Sequence, residues 1–91
     1  MEFEWDPEKA ARNLVKHGVS FQDAATVFGD PLAMTYYDPD HSETEDRYLT
    51  YGHSDSGRLL VVSHTDRDER IRIISARPMT RKERKQYEEK G

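Results

Sequence analysis

Nine arginines, five lysines and four histidines are the side chains of this 91-residue chain best suited to chemistry on a charged substrate. An arginine fork holds two phosphate oxygens and stays charged at any working pH. A histidine can give or take a proton near neutrality. Spacing singles out Arg12, Lys16, Arg67, Arg72 and Arg77 as candidate phosphate binders, with His64 as a candidate for proton transfer. Each also has a plain structural reading. Arg12 and Lys16 suit a solvated helix face, Arg67 an exposed turn, and Arg77 an ion pair with Glu45 or Asp46. His64 suits a hydrogen-bonded place inside the fold, and His17, just before Gly18, a cap on helix carbonyls. His17, His41, His53 and His64 are scattered without metal-ligand spacing, and there is no cysteine. No metal or cofactor is therefore expected, and no glycine-rich nucleotide loop or Gly-x-Ser-x-Gly turn occurs.

These residues need a folded scaffold, and composition limits what it can be. Charged residues make up 35% and apolar ones 34%, so a single domain over residues 1–91 with a thin core is expected. The net charge of −4 is unevenly spread. From Asp66 onward there are nine Lys/Arg against six Asp/Glu, and before it five against twelve. A basic end beside an acidic body fits a nucleic-acid-facing surface or simply a solvated C-terminal helix. The acidic N-terminus has no apolar leader, and Leu59-Leu60-Val61-Val62 is too short to span a membrane, so a cytoplasmic protein is expected.

Periodicity orders the chain. Phe3 and Trp5 alternate with acidic residues as a short strand, and Asp6-Pro7 opens a helix to about His17, stopped by Gly18. Ala10, Ala11, Leu14 and Val15 are its expected apolar stripe, with Lys9, Arg12 and Lys16 as a basic face. Ser20 to Asp23 reads as a capping box for a second helix that ends at Gly29-Asp30-Pro31. The period then falls to two, giving strands over Leu32 to Tyr37, Arg47 to His53, Arg58 to Thr65 and Arg70 to Ala76. The third of these, apolar on both faces, should lie centrally. Thr80 to Glu83 is a second capping box and starts a C-terminal helix. The order β-α-α-β-β-β-β-α predicts an α+β fold, an antiparallel sheet packed by the two N-terminal helices and the C-terminal one.

Strand parity then sorts the cations. Ile71, Ile73, Ser75 and Arg77 should share one face of the last strand, and Arg70, Arg72, Ile74 and Ala76 the other. Arg72 is thus placed on a face that can stay open. Arg77 has core parity but sits at the strand end, where it can leave the core.

The element order resembles the RelE-type toxin fold, and particular motifs resemble the BrnT family within it. Phe3-Glu4-Trp5-Asp6 with Lys9 and Asn13 is similar to that family's opening, and Lys16-His17-Gly18-Val19-Ser20-Phe21 to its helix-turn-helix signature. Glu45-Asp46-Arg47, Gly52, Leu60-Val61-Val62, Ile71 through Arg77, Glu83 and Tyr87 follow in the family's order. Pro78-Met79 departs from the pattern; the proline holds Arg77 extended. The resemblance covers nearly the whole chain. It implies a ribonuclease toxin of a bacterial type II toxin–antitoxin pair, cleaving RNA without metal and inhibiting translation. It also implies a BrnA-type antitoxin as partner, which carries the DNA-binding function, so that DNA contact is indirect. Under it Arg77, Arg67, His64 and Tyr87 are the catalytic candidates, Tyr87 because RelE-like enzymes often place a late tyrosine near the scissile phosphate. Arg72, Lys16 and Arg12 are the RNA-binding candidates. For Tyr87 the plain alternative is an anchor for the last helix. For the whole chain it is a non-catalytic module that only binds the antitoxin as co-repressor, which the acidic loop Asp38 to Asp46 would suit. A direct DNA binder fits poorly, because neither leading helix carries a dense basic recognition surface.

Overall fold

The computed structural model describes residues 1–90. Strand β1 (Glu2–Glu4) leads into helix α1 (Pro7–His17) and a short helix α2 (Phe21–Ala25), which tightens into a 3₁₀ turn at Thr26–Gly29. Strands β2 (Met34–Tyr37), β3 (Tyr48–His53), β4 (Leu59–Arg67) and β5 (Arg70–Pro78) follow, then helix α3 (Arg81–Lys90). The five strands form one sheet in the order β1-β5-β4-β3-β2, with β4 in the centre as its two apolar faces require. The consecutive strands β2 to β5 pair antiparallel, whereas β1 joins the edge of β5 in parallel. The expected antiparallel sheet is thus mixed at one edge, where the short first strand joins the four-strand meander in parallel.

The helix ends form as their residues dictate. Asp6 Oδ1 accepts the Glu8 amide at 2.9 Å, and Gly18, at φ +68°, donates its amide to the Leu14 carbonyl. Ser20 Oγ caps α2 by accepting the Asp23 amide. Asp23 does not return the bond; its carboxylate accepts the hydroxyls of Ser54 and Ser56, so it ties α2 to the β3–β4 turn.

Two apolar layers hold the sheet. Val19, Phe21, Ala24 and Val27 pack on Leu60, Val62, Ile73 and Ala76 beneath α1 and α2, with Phe3, Trp5 and Phe28 around them. Val61, Met79 and Tyr87 pack with Met34, Leu49, Tyr51 and Leu59 on the other face, under α3. Gly52 allows β3 to approach the first layer, because a Cβ there would fall 2.8 Å from Val27 Cγ1 and 3.1 Å from Asp30 Oδ2.

Of the expected apolar stripe of α1, Ala10 packs against the core, but Ala11, Leu14 and Val15 do not. Leu14 is 52% and Val15 90% exposed, while Asn13 is the buried residue of the helix. Strand β1 covers the outer edge of β5 only at Arg70–Arg72. At Ala76 the Asn13 carboxamide replaces it: Nδ2 donates to the Ala76 and Val19 carbonyls, both at 2.9 Å, and Oδ1 accepts the Ala76 amide at 3.1 Å. An unpaired buried backbone group is costly, so these bonds set the roll of the helix against the preference of Leu14 and Val15.

A bulge reverses the parity of β5. His64 pairs with Ile73 but Ser63 with Ser75, so Ile74 has no partner across the ladder. Ile71, Ile73 and Ala76 therefore face α1 and α2, while Arg72, Ser75 and Arg77 share the opposite face. The expectation that Arg77 has the parity of the isoleucines is corrected by that one extra residue.

Candidate functional site

Arg77 lies opposite Val61 at the end of β5 that α3 covers. Its Nη1 and Nη2 donate to the two carboxylate oxygens of Glu83 at 2.7 and 2.9 Å. Glu83 is the last residue of the α3 capping box: its amide donates to Thr80 Oγ1, and its Oε1 accepts the Thr80 amide. The arginine and these local bonds pull the Glu83 carboxyl down to about 2, against desolvation. Tyr51 Oη donates to Glu83 Oε2 at 3.5 Å, and burial beside that carboxylate raises the phenol above its ordinary range. Glu83, not Glu45 or Asp46, is thus the ion-pair partner of Arg77. Glu45 approaches Arg67 at 3.9 Å, and Asp46 accepts the Tyr37 hydroxyl.

The pair leaves Arg77 half engaged. Glu83 holds the Nη1/Nη2 end of the guanidinium, and Nη1 also reaches the Pro78 carbonyl at 3.3 Å. The side formed by Nε and Nη2 has donors to spare, and no partner for Nε occurs among the described residues. With 39% of the side chain exposed, this second edge can take a tetrahedral anion in the bidentate manner while Glu83 fixes the first.

Arg72 stands on the same face, tied to Glu4 at 2.9 Å across the β1–β5 pair. Between the two arginines, Ser75 lines a groove of about 260 Å³ with Ile74, Asn13 and the α1 side chains Lys9, Arg12, Lys16 and His17. Neither Lys9, Arg12 nor Lys16 has an ion-pair partner among the described residues. Ser75, on the face of the two arginines, thus borders the basic flank of α1 at the outer edge of β5, although neither arginine lines the groove itself.

The other candidates are not brought together with Arg77. His64 is 4% exposed on the α1/α2 face, between Phe28 and Tyr48, with Nε2 bonded to Thr50 Oγ1 at 2.7 Å. Burial lowers its pKa, so the neutral ring is the favoured form. Arg67 ends β4 on the surface, six residues from the partner of Arg77, roughly 20 Å along the strand. Tyr87, 6% exposed, donates to Asp30 Oδ2 at 2.5 Å, and burial followed by that bond pushes its phenol up to about 12. Asp30 also accepts the Leu32 and His53 amides, so Tyr87 pins α3 to the start of β2 and the end of β3.

With this geometry in place, two comparisons place the chain. The family model described as the ribonuclease toxin BrnT of type II toxin–antitoxin systems matches residues 5–83. The chain belongs to the BrnT family. The crystal structure of the Brucella abortus ribonuclease toxin BrnT superposes with a TM-score of 0.65 at 21% identity, over 89% of this chain and 99% of that one. That likeness shows the fold. No individually curated relative matches the sequence. The chain is accordingly a member of a ribonuclease toxin family whose systems pair toxin with antitoxin. No helix among the described residues is long and apolar enough to cross a membrane.

Glu83 and Tyr51 were not singled out from sequence as site residues. The capping box identified Glu83 as a helix-start residue, but its partnership with Arg77 depends on the face that the bulge exposes.

Proposed function

We propose that this chain is a metal-independent endoribonuclease toxin that binds single-stranded RNA across the outer edge of β5 and cleaves it at Arg77. The observation that carries the reading is the free Nε/Nη2 edge of an arginine clamped by Glu83, next to a groove lined by Lys9, Arg12 and Lys16. Cleavage starts when the 2′-oxygen attacks the adjacent phosphorus; the 5′-oxygen leaves, and a 2′,3′-cyclic phosphate remains. Arg77 binds the non-bridging oxygens as charge develops on them, while Arg72, Arg12 and Lys16 hold the flanking phosphates. Among the described residues, His17 is the histidine lining that groove, and proton transfer is assigned to it in preference to the enclosed His64. Tyr87 and Arg67 are read as structural and surface residues. The partner is proposed to be a BrnA-type antitoxin that binds the DNA, and the outcome of cleavage to be arrest of translation in the cytoplasm.

Expression of the chain alone is expected to stop growth, and co-expression of the antitoxin encoded beside it to restore growth. Culture density after induction, with soluble protein followed on gels, measures this. Normal growth with abundant soluble protein contradicts the toxin reading and favours a co-repressor.

A further inference from the structure

The face that carries Arg77 continues into a groove that the phosphate contacts do not use. Met34, Tyr51, Val61 and Arg77 form one row across β2, β3, β4 and β5. Tyr36, next along β2 on that face, makes a T-shaped contact with Tyr51, ring centroids 5.7 Å apart and planes at 80°. Met34, Tyr36 and Tyr51 floor a groove of about 530 Å³ whose far wall is α3, with Glu83, Gln86 and Glu89. Tyr36 remains 45% exposed, its hydroxyl engaged, among the described residues, only with Met34 Sδ at 3.5 Å. An aromatic ring left half exposed in such a groove offers a flat apolar platform. Tyr36 stands three strands from Arg77 and two residues along, roughly 16 Å between backbones. The two long side chains reach in from either end, and a nucleotide laid over Tyr51 can bridge the rest from base to phosphate.

We propose that this groove binds a nucleobase of single-stranded RNA, stacked on Tyr36 and braced by Tyr51, when the neighbouring phosphate lies on Arg77. The inference rests on the RNA-binding reading of this face. Glu83 gives both oxygens to Arg77 and Thr80, so it neither repels the phosphate as a free charge nor reads the base. Gln86 and Glu89 are the exposed polar groups left on the wall. The first offers a donor and an acceptor, the second acceptors only, a pairing that favours a base with an exocyclic amine over uracil.

The test uses a short single-stranded oligoribonucleotide, 2′-O-methylated so that it cannot be cut, carrying 2-aminopurine at successive positions. On the wild-type protein one position should lose most of its fluorescence, because stacking on an aromatic ring quenches the base. Tyr36→Ala should abolish that quenching and weaken binding by about tenfold, within the range of one lost stacked base. Tyr36→Phe, which keeps the ring, should restore both. Exposure of the ring and its edge position in the sheet leave the fold intact, which an unchanged melting curve for Tyr36→Ala verifies. Equal binding and quenching by wild type and Tyr36→Ala overturn the base site alone. A wild-type protein that binds no oligonucleotide overturns the RNA reading of the face, and this inference with it.

Discussion

Arg77→Ala is expected to lower RNA cleavage about a hundredfold and to abolish growth arrest, with little change in folding. Losing one preorganised donor to transition-state charge typically costs about 3 kcal/mol of barrier. The stability cost should be smaller. Glu83 keeps its bonds to the Thr80 amide and hydroxyl, and the pair lies at the surface, where such contacts contribute about 1 kcal/mol or less. A pH signature separates the two roles. The Glu83 carboxyl titrates near 2 in the folded protein against about 4.5 ordinarily, so the pair stabilises the fold above the higher value and is lost as pH falls towards 2. In Arg77→Ala the carboxyl should titrate higher than in the wild type, with only the Thr80 bonds left to lower it, and the dependence of melting temperature on pH between 4.5 and 2 should flatten. An inactive variant that melts near the wild-type temperature at pH 7 supports the catalytic role. A collapse in melting temperature that parallels lost toxicity makes Arg77 a structural residue.

Asn13→Ala should be the most destabilising change on α1, although it removes a polar side chain from a helix. It strands the Ala76 amide and the Ala76 and Val19 carbonyls in the interior. Each buried group left unpaired costs about 1–3 kcal/mol, so a total of about 3–5 kcal/mol is expected. For a domain of this size that lowers the melting temperature by more than about 10 °C. Val15→Ser, at a 90% exposed position of the same helix, should change the melting temperature by no more than a degree or two. Similar melting for Asn13→Ala and wild type would show that the carboxamide does not hold α1 to the sheet.

The elements of this fold were legible because their signals are local. Asp6-Pro7, Gly18 and the two capping boxes mark helix ends within a few residues, and the alternation in β3 to β5 marks strands. What was not legible depends on distant partners. The bulge at Ile74 has no glycine to announce it, yet it alone moves Arg77 from the isoleucine face to that of Arg72. The buried face of α1 is decided by Asn13 meeting a backbone 63 residues away. Glu83 was visible as a cap and Arg77 as a cation, but their pairing requires knowing that α3 folds back over the face Arg77 occupies. His64 shows the same limit: its place at the end of a central strand was evident, its enclosure by Phe28 and Tyr48 was not.

The central claim, RNA cleavage by the protein's own side chains, is tested most directly by incubating the purified chain with RNA in excess chelator and analysing the new ends. Cleavage that persists, leaving 2′,3′-cyclic phosphate or its 3′-phosphate product, is the expected result. Activity lost in chelator and restored by magnesium or manganese would contradict it.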